Sequence, residues 1–433
     1  MHAVALIVGL AGCTDEEAGT SFPAADLVLH RGADFVAGEK SPQDGQSLVE
    51  GATDDDHDWS LALREGTLLV GVPAVGEVRR YTVVDGAFDG GVVAASGDPR
   101  ERYAAAVDAG EGRVLVGAPD HDIGPDGPGA GLVDRLGGGA VQVTGTVTQG
   151  RFGSVVAACG DLDGDAVGEW AATAPWEDDI AGAVYLGAYS APAVDTSSLR
   201  RIAGSGAGDR FGASVLCSAS LLDDGATVAV GAPFAPGDGD VEAEGEVTLW
   251  NLDDIDANTP TWTLHGRAAG EVDTPEYFGA ALAACELDGD GLPELVVGAP
   301  GTSAGLGAAY VFLGSDLRGS AAFAARYIVR GASTDARLGS ALGCGDLDGD
   351  GLDELLVGAP GENAADGTRQ VGAIYVFKGP LSNWNAQIFA GVDEWAVLRE
   401  DRAYLETGKR FVVGDLDNDG LSDVVTLLRQ RAR

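Results

Sequence analysis

The sequence of 433 residues predicts an all-β fold, a seven-bladed β-propeller, on three observations. A set of phrases recurs at a spacing near sixty residues; the apolar segments between them are short and bounded by Gly, Asp or Pro; and helical periodicity over ten or more residues is absent. Glycine fits this picture, with 67 residues, about twice the usual share of roughly 7%. Glycine at that level without a collagen period implies many turns and short strands.

The repeat is read from three phrases. Val-Gly-Ala-Pro stands at 116–119, 230–233, 297–300 and 357–360, with degenerate copies at 70–73 and 172–175. Its prolines, at 73, 119, 175, 233, 300 and 360, are therefore 46, 56, 58, 67 and 60 residues apart. A seventh copy, without proline, is DVVTLL at 423–428. Upstream lies a second phrase, Arg151-Phe152-Gly153, Arg210-Phe211-Gly212 and Tyr277-Phe278-Gly279, weaker at Arg337-Leu338-Gly339, Arg102-Tyr103-Ala104, Trp59-Ser60 and Arg410-Phe411. Downstream lies a third: GAVYLG (182–187), GEVTLW (245–250), GAAYVFLG (307–314) and GAIYVFKG (372–379).

Within a unit the β-branched and aromatic runs read as strands. The unit 337–391 predicts four: GSALGCGDL, DELLVGA, GAIYVFK and AQIFAGV. Four short antiparallel strands, seven times over, describe propeller blades; a solenoid would need coils of roughly 20–30 residues. The seventh unit ends after two strands. Two unclaimed segments, DLVLHRG (26–32) and QSLVEG (46–51), are placed to complete it, leaving no open edge. Residues 22–433 then form one ring.

The beginning of the chain reads differently. Residues 3–12, AVALIVGLAG, are an apolar run too short to span a bilayer. Leu10-Ala11-Gly12-Cys13 resembles a bacterial lipobox, so 1–13 is expected to be a lipoprotein signal with Cys13 the lipidated residue, and 14–21 an acidic tether. The expected location is the outer membrane or surface of a bacterium, with membrane contact only through that lipid.

Charge narrows the partners. With 27 basic and 68 acidic residues the net charge is −41, which excludes nucleic-acid binding through a basic surface. The other four cysteines, Cys159, Cys217, Cys285 and Cys344, occupy equivalent places in successive units. They fit either two clips between neighbouring units, Cys159–Cys217 and Cys285–Cys344, or small buried residues on an inner strand.

Between the first and second strands of four units lies a nine-residue acidic loop: DLDGDAVGE (161–169), ELDGDGLPE (286–294), DLDGDGLDE (346–354) and DLDNDGLSD (415–423). Positions 1, 3, 5 and 9 are carboxylates, and position 7 can offer a carbonyl. Such an oxygen cage suits a hard cation of flexible coordination, Ca²⁺ over Mg²⁺. An EF-hand is disfavoured, because position 12 is Ala172, Val297, Val357 or Thr426 rather than a carboxylate. The fourth unit has the shorter SLLDDGAT (220–227), and no metal is expected there. Ala166 replaces the glycine of the sharp turn in the 161–169 loop, which predicts strain.

Phe-Gly, an Asp-rich loop and Gly-Ala-Pro, repeated seven times, resemble the FG-GAP repeat of the integrin α-subunit propeller. The resemblance implies about four Ca²⁺ sites on one face and partner binding mainly on the other. By position the metal residues are Asp161, Asp163, Asp165, Val167 and Glu169; Glu286, Asp288, Asp290, Leu292 and Glu294; Asp346, Asp348, Asp350, Leu352 and Glu354; and Asp415, Asp417, Asp419, Leu421 and Asp423.

No catalytic residue is assigned. The sequence holds no Gly-x-Ser-x-Gly, His-Glu-x-x-His or phosphate-cradling Gly-Lys-Ser/Thr phrase, and of its five histidines only His57 and His121, each between two aspartates, draw notice. The expected function is therefore a non-enzymatic, Ca²⁺-stabilised surface module binding an extracellular protein or glycan, with Trp176, Phe234 and Tyr277 as exposed-aromatic candidates. A polysaccharide-acting enzyme or lectin is the alternative.

Overall fold

The computed structural model describes residues 24–30, 38–40, 46–51 and most of 59–429. The expected signal, Cys13, the tether and His57 lie outside the described residues. Seven β-sheets follow one another. The third is typical: Val156–Gly160, Glu169–Ala174, Ala183–Ala188 and Arg200–Ala203 pair as an antiparallel meander. The last sheet joins both regions of the chain, since Phe411–Gly414 and Asp423–Arg429 continue into Ala24–His30 and Gln46–Gly51. In it Ala25 pairs with Arg429 and His30 with Val424. Each first strand packs beside the next, from Ser60–Arg64 through Ala106–Gly110 and onward to Phe411–Gly414, which returns to Ser60–Arg64. Together they surround a central cavity of about 630 Å³. This is an all-β propeller.

The core is divided rather than central. Seven apolar clusters each draw side chains from two adjacent sheets. The second strands are consequently covered on both faces: Glu294–Ala299 and Glu354–Ala359 are buried at every residue. That explains why they read as unbroken apolar runs instead of alternating ones.

The repeated phrases make the contact between sheets. A Cβ on Gly117, Gly231, Gly298 or Gly358, in the Gly-Ala-Pro phrase, would overlap the carbonyl of Gly153, Gly279, Gly339 or Gly408 in the following unit. The Phe ring then turns inward onto its own sheet, with Phe152–Tyr185 and Phe278–Tyr310 edge to face at 5.4 Å. Both cysteine pairs are disulfides between adjacent first strands, Cys159–Cys217 and Cys285–Cys344, with Cα separations of 5.2 and 5.5 Å.

One expectation is corrected. AQIFAGV does not supply the fourth strand of its unit; Ala396–Arg399 does. Gln387–Phe389 instead pairs in parallel with Tyr327–Arg330 of the preceding sheet. Gly38–Lys40 covers the edge of Ala396–Arg399 in the same way, and Asp195 bridges Thr144 likewise. In each case the segment between third and fourth strands reaches back over its neighbour's outer edge, hiding unpaired backbone groups. Local strand propensity does not reveal which sheet a segment joins.

Candidate metal centres and the opposite face

First and second strands are antiparallel, so all four acidic loops lie at one end of the sheets and the Phe-Gly and Gly-Ala-Pro phrases at the other. Each loop is wound by its own carboxylates. At position 1, Asp346 accepts from the Gly349 and Gly351 amides at 2.6 and 2.9 Å, and Asp161 accepts from Gly164 and Ala166 at 2.8 and 3.0 Å. Glu286 accepts from Gly289 at 2.8 Å and Asp415 from Asp419 and Gly420 at 3.1 and 3.0 Å. At position 5, Asp165, Asp290, Asp350 and Asp419 accept from the amides of Val167, Leu292, Leu352 and Leu421 at 2.7 to 3.0 Å. At position 9, Glu169, Glu294, Glu354 and Asp423 reach back to the amide at position 2, at 2.8 to 3.0 Å.

The turn at position 6 lies in the left-handed region, with φ of +81°, +89° and +89° at Gly291, Gly351 and Gly420 and 66° at Ala166. Ala166 is the strained member, as its sequence position predicts.

Three carboxylates come together in every loop with oxygens within 4.8 Å of one another: Asp161, Asp163 and Glu169; Glu286, Asp288 and Asp290; Asp346, Asp348 and Glu354; Asp415, Asp417 and Asp423. Position 5 joins the group only in the second loop, and Glu294 is outside that one. Four clusters of this kind can each hold a metal ion.

The position-9 groups indicate the fit. Glu294, Glu354 and Asp423 are buried, and one Glu354 oxygen, Oε1, has no hydrogen-bond partner. Leaving a buried carboxylate oxygen unpaired is costly. Burial, aided by the neighbouring aspartates, pushes the Glu294 and Glu354 carboxyls up to about 7. Burial also raises Asp288, with Asp290 and Glu286 adding repulsion. A cation among these oxygens supplies the missing partner and relieves the repulsion.

Sequence reading missed three residues at this end. Asp353, at position 8, accepts from the Glu286 amide at 2.9 Å and donates its own amide to the Glu286 carbonyl at 2.9 Å, tying two neighbouring loops together. Ser422 likewise donates to the Asp346 carbonyl at 2.7 Å. The third missed residue is Lys378, whose ammonium contacts Asp348 and lies 2.9 Å from Asp350. The one lysine in the four third phrases was its signal.

At the opposite end the three aromatic candidates are brought together rather than displayed singly. Arg151 and Arg210 lie over the Trp176 ring at 4.5 and 5.0 Å, Arg210 also covers Phe234 at 4.4 Å, and Phe234 meets Tyr277 at 5.3 Å. Phe234 is 36% exposed; Trp176 and Tyr277 are half-buried. Beside this row is a cavity of about 380 Å³ lined by Asp120, Asp122, Gln149, Arg151 and Trp176 among others. Asp120 pairs with Arg151 at 3.4 Å, Asp122 accepts from the Gly129 amide at 2.7 Å, and His121 lies 2.9 Å from Glu101. The triplet 120–122 is thus engaged in local contacts.

A propeller of repeated sheets with an acidic loop at one end and Phe-Gly/Gly-Ala-Pro contacts at the other is similar in arrangement to FG-GAP repeats. The FG-GAP repeat family model matches residues 278–312 and 338–377, and the chain is related to integrin α subunits. It is 31% identical to integrin alpha-PS2 of Drosophila melanogaster over 206 residues, 45% of this chain and 13% of that protein. It is 30% identical to integrin alpha-5 of Xenopus laevis over 166 residues, 37% of this chain and 14% of that one. Phosphatidylinositol-glycan-specific phospholipase D of Rattus norvegicus is 31% identical over 196 residues, 43% of this chain and 23% of the enzyme. The matched region is thus under a quarter of each relative's length. Among the described residues no helix is long and apolar enough to cross a membrane.

Proposed function

We propose that this protein is a Ca²⁺-stabilised, non-enzymatic binding module of the cell surface, its seven sheets forming the blades of one closed ring. The observation that carries the metal reading is the buried, unpartnered Glu354 Oε1 beside Asp346 and Asp348. The chemistry of the donors supports Ca²⁺: all are oxygens, with carbonyls at Val167, Leu292, Leu352 and Leu421 available to complete a shell of about six to eight. Four ions would bring the net charge from −41 to about −33. The ions brace the loops between first and second strands, and the Phe-Gly end is left to meet an extracellular protein. Lipidation of Cys13 would tether the ring to a bacterial outer membrane.

Thermal unfolding in EGTA, Mg²⁺ and Ca²⁺, with metal content by mass spectrometry, tests this. A Ca²⁺-specific rise in Tm with close to four ions per chain is expected, because binding to the native state alone stabilises it. No bound metal and no shift would reduce the loops to acidic turns.

A second reading, a lectin or polysaccharide-acting enzyme, is favoured by the cavity at Asp120, Asp122, Gln149 and Trp176, which combines carboxylate and amide groups with an aromatic ring. Glycan-array binding that is lost in Trp176→Ala would select it over a protein partner.

A further inference from the structure

We propose that Lys378 is a tethered cation that occupies the 346–354 loop in the absence of metal, and that it weakens Ca²⁺ binding at this site. The inference rests on the metal reading above and concerns one residue that reading does not use.

Lys378 ends the third strand, Ala373–Lys378, and stands across the ladder from Glu354, the buried carboxylate that closes the loop. From there its side chain crosses to the loop. Its Nζ contacts Asp348 Oδ2 and lies 2.9 Å from Asp350 Oδ2, so it bridges positions 3 and 5. The Trp395 ring, 5.5 Å from Nζ, flanks it, and the Trp384 indole donates to the Lys378 carbonyl at 2.8 Å. The stem is thereby fixed while the head points into the carboxylates.

Two of the other sheets with acidic loops differ at this place. In the third sheet the residue across from Glu169 is Ala188. In the fifth, Leu313 follows Phe312 at the corresponding place, one residue past the Leu295–Phe312 pair. Neither carries a charge, and lysine is rare in this sequence, with 27 Lys and Arg together against 68 acidic residues. In the 286–294 loop the oxygens of Asp288 and Asp290 lie within 4.8 Å of each other, whereas in the 346–354 loop the ammonium touches both of their counterparts. A divalent ion seeking Asp348 must displace Lys378 or share its oxygen, and like charges at such range repel.

The experiment compares the full chain with Lys378→Met and Lys378→Gln, and with Leu313→Lys, which moves the ammonium to the 286–294 loop. After EGTA treatment and buffer exchange, Ca²⁺ titration calorimetry and metal-free melting are read. Lys378→Met and Lys378→Gln are expected to tighten one site on the order of tenfold and to lower the metal-free Tm. Leu313→Lys should weaken one site. Wild type that takes up Ca²⁺, with all site affinities and the metal-free Tm unchanged in both Lys378 variants, would overturn the inference while sparing the metal reading. Wild type that binds no Ca²⁺ would overturn both.

Discussion

The carbonyl oxygen of Gly279 occupies the space that a Cβ on Gly231 would need. Gly231 also stands in the ladder, opposite Ser214 and Val247. The second strand of one sheet therefore meets the Phe-Gly phrase of the next backbone to backbone, and no side chain fits between them. This contact recurs at Gly117 and Gly298, and Gly358 makes it with Gly408, which places the seventh copy at Glu406-Thr407-Gly408 rather than at Arg410-Phe411.

Gly231→Ala should accordingly force two sheets apart. Overpacking of this kind costs about 1–3 kcal/mol. Urea denaturation should show a lower midpoint with little change in slope; an unchanged midpoint would mean that the interface yields freely.

Ala166→Gly should act in the opposite direction. Ala166 has φ of 66°, a conformation that costs an L-residue roughly 1–2 kcal/mol. Part of that gain is offset by the greater freedom of glycine in the unfolded chain. A rise in Tm together with tighter Ca²⁺ binding at one site is expected from differential scanning fluorimetry and calorimetry.

Glu354→Gln separates charge from shape. The amide oxygen can still accept from Leu347, whose amide now bonds Oε2 at 2.8 Å, but the buried charge is removed. Burial already pushes the Glu354 carboxyl up to about 7, so the charged form is the costly one without metal. The variant should melt higher than wild type in EGTA, and lower in saturating Ca²⁺, with one ion fewer by mass spectrometry. Equal Ca²⁺ stoichiometry would remove Glu354 from the metal shell.

Paired Cys159→Ser and Cys217→Ser changes should expose how far the first strands depend on their clip. The bond closes a sequence separation of 58 residues, for which the chain-entropy model predicts about 4 kcal/mol. Peptide mapping without reduction should recover both linkages in wild type, and a chaotrope titration should place the variant's midpoint well below it.

Much of this architecture was legible before any coordinates. Repetition of Gly-Ala-Pro announces second strands because only an apolar run covered on both faces persists through Val296, Val297, Leu355 and Leu356. The acidic loops were legible because alternate carboxylates point into one turn. Other features were hidden. Gln387–Phe389 reads as a local strand, yet its partner is Tyr327–Arg330 of another unit. Trp176, Phe234 and Tyr277 read as separate exposed rings, whereas Arg151 and Arg210 interleave them. Cys159 and Cys217 were equally readable as paired or merely buried until their strands were seen side by side.

The sequence by itself determined the repeat, its strands, the register of the four acidic loops and the placement of glycine where sheets touch. These follow from local chemistry: burial periodicity, turn geometry and the spacing of carboxylates along nine residues. Only the tertiary structure decided that Lys378 reaches Asp348 and Asp350, that Asp353 ties one loop to the next, and which edge each extra strand covers. Those contacts join residues far apart in the sequence, 67 positions between Glu286 and Asp353, and distances of that kind are set by how whole sheets stack rather than by any property of the segments themselves.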